Sequence, residues 1–360
     1  MRAKSAPMPQ PLRLAVDARV VAEDTRGIGR YARAILRRLA VRDDVELTLL
    51  THGPLGFAYR SAYARALESR NFALRARASG KLDVVWHPAN GTFFPASIPS
   101  VATIHDAVPF RYPDADSKRR AHAQDPFLRS ARTAARIIAV SEFGRSEVHA
   151  VLGVPTDRIE VIYHGVEPSF APGIAAPLPA GLIAGRYVLF VGDPIAEPRK
   201  NFALLYEAYR RAWPADNGAP RLAVAGARAP ELPGVVHVGN LHDDLTARTN
   251  EGLRALYRGA LALGLASYHE TFGMPMVEAM ACGTPVIASA ASSLPEIGAD
   301  AALYVPADDP QAWSEALRRV AADASLRDRL RIAGLGRATH FTWEESADKH
   351  VALFRSVARA

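Results

Sequence analysis

Residues 269–289 read HETFGMPMVEAMACGTPVIAS. Pro275 suits the first turn of a helix and Gly283 its end, so PMVEAMACG is predicted as a short helix. TPVIAS, a short apolar run, is then the strand after it and HETFG the loop before it. Two acids flank the helix start, Glu270 on the loop and Glu278 inside the helix. The terminus between them, with free N–H groups around Gly273 and Met276, suits a phosphate. A carboxylate ahead of that terminus can accept hydroxyls of the same ligand, and one a turn further in can take those of a ribose. Taken singly, each acid also has a plain reading: Glu278 complements the helix dipole and Glu270 is solvated.

The loop–helix–strand pattern recurs on both sides of this stretch. LRLAVD, VELTLL, LDVVWHPA, SVATIHD, ARIIAVS and RIEVIYHGV are strand-length apolar runs, and IGRYARAILRRLA carries apolar residues at helical spacing. Such alternation argues for a parallel sheet flanked by helices. EPSFAPGIAAPLPAGLIAG, residues 167–185, shifts to Pro, Ala and Gly and reads as a linker. The pattern then restarts with RYVLFVGD, NFALLYEAYRRA, RLAVAGA and VVHVGN, and ends on a helical WEESADKHVALFRSVA. The predicted organisation is an amino-terminal Rossmann-like domain over 1–166, the linker, a second Rossmann-like domain over 186–342, and a closing helix over 343–360. Two doubly wound domains facing each other make a cleft, and such sheets bind ligands at the carboxyl ends of their strands.

A chain of 360 residues is long enough for two domains. With 49% hydrophobic and 22% charged residues it reads as a globular protein. One cysteine, Cys282, excludes an internal disulfide and fits a reducing compartment. No stretch has the length of a membrane span, and MRAKSAPMPQ lacks a signal-peptide core, so a cytoplasmic address is expected. The net charge of +7 is uneven: residues 1–165 hold 25 Lys+Arg against 16 Asp+Glu, and the rest 19 against 21. The basic half is either a solvated surface or a face for an anionic membrane. Zinc spacing, RNA-binding aromatic motifs and a recognition helix are lacking, which argues against nucleic acid.

The string ETFGMPMVE, followed by AMACGTPVIASAASSLPEI, resembles the E-x7-E signature of the retaining glycosyltransferases of family GT4, the glycosyl transferases group 1. LAVDARVVAEDTRGIGRYARAILRRL, TIHDAVPFRYP, AVSEFGRSEV, VIYHGVE, EPRKNFALLYEAY and FTWEESADKHVALFRSV follow that family in order, over nearly the whole chain. The resemblance implies the GT-B fold, with the closing helix crossing back onto the first domain. It implies that Glu270 binds hydroxyls of the donor sugar and Glu278 the nucleotide ribose. Phe272, Gly273 and Met274 bring backbone N–H groups to the diphosphate and sugar. Arg199 and Lys200 match the basic residues that contact the donor phosphates, and His105 lies at the reaction centre, against the donor sugar. Gly27 and Gly29 lie under the diphosphate and beside the acceptor. Thr271 stands where a small Gly is frequent, and the loop ahead of Arg199 is longer than in many relatives.

The residues themselves support parts of this. Two adjacent cations at a helix start oppose the positive dipole end, so a functional role for Arg199 and Lys200, neutralising a diphosphate leaving group, is the better explanation. Gly27 and Gly29 in RGIGRYA form a G-x-G-x-x-A string, but the long interval from Asp17 to Gly27 argues against a nicotinamide site. Arg26 and Arg30 can meet anionic groups or be solvated. A His105–Asp106 pair is commonly a loop hydrogen bond, although its place at a strand's carboxyl end favours a site. Ser141 and Glu142 suit a helix cap and first turn, and His164 and Gly165 a hinge. The histidines are scattered, and HDD at 242–244 is a single cluster, so no metal is expected and no cofactor beyond the donor.

The expected activity is retaining transfer of a hexose from a nucleotide diphosphate sugar to a saccharide, lipid-linked and at the inner membrane face, in surface polysaccharide assembly. GIGRYA, TIHD, EPRKN and YHETFGMP look most like bacterial mannosyltransferases, which favours GDP-mannose. A UDP-sugar enzyme of the same fold and a catalytically silent nucleotide-sugar-binding protein are the alternatives. A glycoside hydrolase has no use for RKN and a phosphate loop, and a phosphorylase needs a phosphate or cofactor-lysine site that the sequence does not offer.

Overall fold

The computed structural model describes residues 10–22, 24, 27–51, 58–175, 177–215, 218–239, 241 and 251–359. Arg26 and the 242–244 cluster lie outside them. The chain divides into two compact units. The first holds residues up to Ala139, with 147–162 and 344–360; the second holds 140–146 and 163–343.

The first unit is built on seven strands: β1 Leu12–Asp17, β2 Val45–Leu50, β3 Ala73–Arg75, β4 Val84–His87, β5 Ser100–Ile104, β6 Arg136–Ala139 and β7 Ile159–Val161. All pair in parallel, in the order β3-β2-β1-β4-β5-β6-β7. Chain order reverses between β1 and β4, which makes that gap the switch point. Strand β5 is buried at every position, as expected of a parallel strand covered on both faces. Helix α1, Gly27–Leu39, buries Gly29, Leu39 and all of residues 31–36, so it is covered on more than one face. Helices α2 (Arg60–Leu67), α3 (Val108–Arg111) and α4 (Ser117–Thr133) follow, the last capped by the Asp116 carboxylate, which accepts the Arg119 N–H. Helix α5 spans Glu142–Leu152.

The second unit has six strands: β8 Tyr187–Val191, β9 Arg221–Ala225, β10 Val235–Gly239, β11 Ala262–Leu265, β12 Val286–Ser289 and β13 Leu303–Val305. Their order, β10-β9-β8-β11-β12-β13, is again parallel and again reverses, here between β8 and β11. Helices α6 (Phe202–Ala212), α7 (Glu251–Gly259), α8 (Met274–Ala281), α9 (Leu294–Gly298), α10 (Pro310–Ala322) and α11 (Ala324–Ala338) clothe it. Asp309 starts α10 by accepting the Gln311 and Ala312 N–H groups, with Pro310 in the first turn. In the Pro- and Ala-rich stretch, Phe170 is buried 5.9 Å from the Tyr257 ring and Leu182 lies in the same core. Helix α12, Trp343–Ala358, ends the chain; from Glu344 onward it belongs to the first unit. None of the described helices is long and apolar enough to cross a membrane.

Candidate active site

The second unit's switch point collects the predicted residues. Past the end of β8 the chain passes through Gly192 at φ 144°, a conformation open to glycine. A Cβ there would stand 2.5 Å from Lys200 Cδ. Gly226, after β9, is equally constrained, because its Cβ would stand 2.0 Å from the Gly192 carbonyl oxygen. The Lys200 stem therefore lies flat across bare backbone, only 9% exposed, and its Nζ donates to the Val191 carbonyl at 3.2 Å. Asp193 folds the longer loop by accepting the Ile195 and Ala196 N–H groups at 2.9 and 2.7 Å. A 3-10 turn, Pro198–Lys200, leads to Asn201 in the left-handed region (φ 57°), whose side-chain amide donates to the Ala307 carbonyl at 2.8 Å. That turn points the chain into α6.

Glu270 arrives from the end of the neighbouring strand β11. Its N–H donates to Ser292 Oγ at 2.9 Å, and its carbonyl accepts from Ser293 Oγ at 2.8 Å. Ser267 Oγ donates to Glu270 Oε1 at 3.1 Å. The two loops are tied together: Tyr268 N–H donates to the Arg199 carbonyl at 2.8 Å, and Arg199 Nη1 to the His269 carbonyl at 3.2 Å. Arg199 Nη1 lies 3.6 Å from Glu270 Oε2, and Lys200 Nζ 4.0 Å from Glu270 Oε1. Glu197 faces the same cations, 2.9 Å from Arg199 and 3.8 Å from Lys200. Two cations are thus held in place by two carboxylates, with formal charges that cancel. An arrangement of this kind can exchange a carboxylate for another anionic group at the cations.

Downstream of Glu270 the loop is braced from below. Ser141 Oγ donates to the Thr271 carbonyl at 2.5 Å while accepting the Gly144 N–H at 2.9 Å, so it caps α5 as its sequence suggested. Glu296 accepts the Glu142 and Phe143 N–H groups at 2.7 and 3.0 Å and the Tyr163 hydroxyl at 2.9 Å. The Phe272 ring is core, T-shaped against His164 at 4.9 Å and Phe341 at 5.6 Å, which leaves its backbone for any ligand. Gly273, at φ 82°, opens α8 with no side-chain cap, and Pro275 brings no N–H to the first turn. Met274 packs partly buried on the core. Glu278 is 1% exposed and accepts the Tyr257 hydroxyl at 2.9 Å. Cys282 is buried, and burial pushes its thiol up to about 12, which suits packing rather than chemistry.

The first unit carries the remaining residues. His105 follows β5; its N–H donates to Asn90 Oδ1 at 2.6 Å and its Nε2 bonds the Pro88 carbonyl at 2.8 Å. A carbonyl only accepts, so Nε2 carries the proton. Burial holds the imidazole below its ordinary range and keeps it neutral. Asp106 turns to its own loop, accepting the Val108 N–H at 3.1 Å, instead of forming a dyad. Gly27 begins α1 with open space where a Cβ would be, whereas a Cβ on Gly29 would meet the Asp24 carbonyl oxygen at 1.8 Å. Gly29 thus admits the chain's own loop. Among the described residues no three His, Cys, Asp or Glu side chains gather as a metal site.

Sequence reading missed Glu197, Ser267, Ser292, Ser293 and Glu296. Glu197 stands within EPRKN, three residues ahead of Lys200, and the last two serines and Glu296 within SSLPEI; that adjacency was the available signal.

Residues 25–170 match Glycosyltransferase Family 4 and residues 185–323 match the glycosyl transferases group 1. The chain is 30% identical to the O-antigen chain mannosyltransferase B of Escherichia coli, over 91% of this chain and 96% of that protein. Among solved structures it is similar to WaaG, a glycosyltransferase involved in lipopolysaccharide biosynthesis (TM-score 0.64, 14% identity, 95% of this chain and 99% of that one). Anabaena HepE, solved with UDP and glucose, is comparable (TM-score 0.65, 15% identity, 95% and 98%). With its two doubly wound parallel sheets, the chain has the GT-B fold and belongs to glycosyltransferase family 4, the retaining glycosyl transferases group 1.

Proposed function

We propose that this glycosyltransferase moves mannose from GDP-mannose to a saccharide acceptor, lipid-linked, in surface polysaccharide assembly. The observation that carries the reading is the convergence of Arg199, Lys200 and Glu270 at the second unit's switch point, the place where doubly wound sheets hold nucleotides. Arg199 and Lys200 neutralise the diphosphate as it departs. Glu270 holds hydroxyls of the mannosyl ring, the N–H groups of Phe272, Gly273 and Met274 meet the diphosphate and sugar, and Glu278 takes the ribose. His105 contacts the donor sugar, with the open Cα of Gly27 beside the diphosphate and Gly29 in the same turn. The departing phosphate takes the acceptor hydroxyl's proton, so that one C–O bond breaks as another forms on the same face. No metal or further cofactor is required.

The mannose assignment draws on the likeness to the O-antigen chain mannosyltransferase B. A UDP-sugar donor is the second reading, favoured by the likeness to HepE holding UDP and glucose. The excess of cations in residues 1–165 supports peripheral docking on the anionic inner face of the cytoplasmic membrane, and vesicle binding insensitive to anionic lipid and salt would count against it. The donor is tested by thermal shift with GDP, UDP, CDP, ADP and NAD. A ligand at a hundredfold its Kd adds about 2.7 kcal/mol. Stabilisation by GDP alone supports the mannose reading; by UDP alone it transfers the assignment to UDP-sugars; by none of the diphosphates it removes the sugar-nucleotide reading.

A further inference from the structure

The first unit has a switch point of its own, between β1 and β4, and open α/β sheets bind ligands there, outside the carboxyl ends of the strands. The loops that leave these two strands touch. Arg19, two residues past the end of β1, lays its guanidinium on the ring of Phe93, from the loop after β4, with Cζ 3.6 Å from the ring centroid. At the foot of the same loops, His87 Nδ1 lies 3.7 Å from Asp17 Oδ2, both side chains 1% exposed.

Two planar side chains flank this gap, each fixed at one end. Asp17 Oδ1 accepts Arg19 Nε at 3.2 Å and the Arg19 N–H at 3.3 Å, while Oδ2 meets Nη2 at 2.9 Å. That forked grip and the Phe93 ring set the plane of the guanidinium. Nη1 has no acceptor among the described residues, and the side chain is 32% exposed. Asn90, three residues past the end of β4, has φ 42°, a left-handed conformation that asparagine adopts more readily than most residues with a Cβ. Its Oδ1 accepts the His105 N–H at 2.6 Å. An N–H only donates, so the facing atom is the carbonyl oxygen and the amide NH2 is the other branch. This NH2 has no acceptor among the described residues, and Asn90 is half-buried. The loop that carries it is pinned to α4. A Cβ on Gly91 (φ 129°) would stand 2.5 Å from the Pro126 carbonyl carbon, and the Thr92 N–H donates to the Pro126 carbonyl at 3.0 Å. Backbone held in such conformations recurs at ligand sites.

Both groups thus offer N–H donors from preset planes on the two sides of one switch point. The Asp17–Arg19 pair carries no net charge, so its outer donors match neutral oxygens better than a phosphate. The cations and carboxylate assigned to the sugar nucleotide belong to the second unit, which leaves this switch point for the other substrate. We propose that Arg19 and Asn90 are acceptor-binding residues, their N–H groups donating to oxygens of the acceptor sugar. The proposal rests on the reading of the chain as a transferase with a saccharide acceptor.

The test uses octyl α-mannoside, octyl α-glucoside and octyl β-N-acetylglucosaminide as acceptor probes, with release of the nucleoside diphosphate from the donor that the thermal shifts select. In 15N–1H spectra of wild type the Asn90 side-chain amide pair, assigned by its loss in Asn90→Gly, should move when an accepted glycoside is added; this readout stands without either variant. Arg19→Lys keeps a cation against Asp17, and Asn90→Gly keeps the left-handed backbone. Each should raise the acceptor KM by about 10-fold with the donor KM unchanged; a purely structural role would lower Tm and leave both KM values. Wild-type acceptor KM in both folded variants, with an unmoved amide pair, overturns the proposal alone. So does a rise in donor KM only, which would place the two residues on the sugar nucleotide. Movement of the amide pair by inorganic phosphate and by none of the glycosides would make this an anion site and overturn it as well. Release no faster with any glycoside than in water removes the saccharide acceptor, and the proposal with it.

Discussion

Replacing Lys200 by Met isolates the charge at the switch point. The methionine stem keeps the apolar path over Gly192, where a Cβ would stand 2.5 Å from the lysine Cδ. Glu197 and Glu270 retain Arg199, at 2.9 and 3.6 Å, so neither carboxylate is left without a cation. The fold should therefore survive with Tm nearly unchanged. Lys200 Nζ and the Glu270 carboxylate are 4.0 Å apart, which sets the separation at which this pocket holds an anion against the ammonium. At an effective dielectric of about 20, a unit pair at that distance is worth about 4 kcal/mol. Removing a group aimed at developing charge costs roughly 10²- to 10³-fold in rate. The expected outcome is a fall in kcat/KM for the sugar nucleotide of that size, most of it in kcat, because charge on the leaving diphosphate is greatest in the transition state. Initial rates of nucleoside diphosphate release at saturating acceptor, with Tm measured in parallel, provide the assay. A folded Lys200→Met enzyme within threefold of wild type (a difference of at most about 0.65 kcal/mol) would refute the assignment of Lys200 to the leaving group.

Further outcomes follow from the same geometry. Gly192→Ala places a Cβ 2.5 Å from Lys200 Cδ at a φ of 144°, and should cost about 1–3 kcal/mol in chemical denaturation while displacing the ammonium and weakening nucleotide binding. Glu278→Gln keeps an acceptor for the Tyr257 hydroxyl, so its Tm should hold, but it should erase the preference for a ribose over a 2′-deoxyribose donor in competition binding. His350 is neutral when folded, with its value near 4 against an ordinary 6.5, so the unfolded chain takes up the proton first. Stability is therefore fully present above about pH 6.5 and falls as pH drops toward 4; denaturation of wild type and His350→Gln across that window should show the variant losing less, and parallel curves would contradict it.

The fold was legible because both sheets are parallel with buried central strands, which read as apolar runs such as YVLFV, and because Pro275 and Gly283 bracket α8 in the chain itself. Arg199, Lys200 and Glu270 meet for a related reason: they lie on the loops that follow β8 and β11, and the switch point sets those two loops side by side. What stayed hidden depends on tertiary contact. Residues 140–146 continue from a strand of the first unit, yet they belong to the second because Glu296, more than 150 residues away, grips their N–H groups. Glycine invites the idea of a ligand approaching, but Gly29 makes room for the Asp24 carbonyl. Phe170 and Leu182 sit in a stretch whose composition reads as linker, since two apolar residues among prolines carry no periodicity. The exchange of charges among Glu197, Arg199, Lys200 and Glu270 likewise appears only when two loops are seen side by side.

The central claim is that this cluster holds a nucleoside diphosphate sugar at both its phosphates and its sugar. Isothermal titration of GDP and GDP-mannose into wild type, Arg199→Ala/Lys200→Met and Glu270→Gln tests it most directly. The account predicts that the double variant loses affinity for both ligands by at least tenfold. Glu270→Gln should keep GDP affinity and lose the extra affinity contributed by the mannosyl group. Unchanged binding of both ligands by the double variant would contradict it.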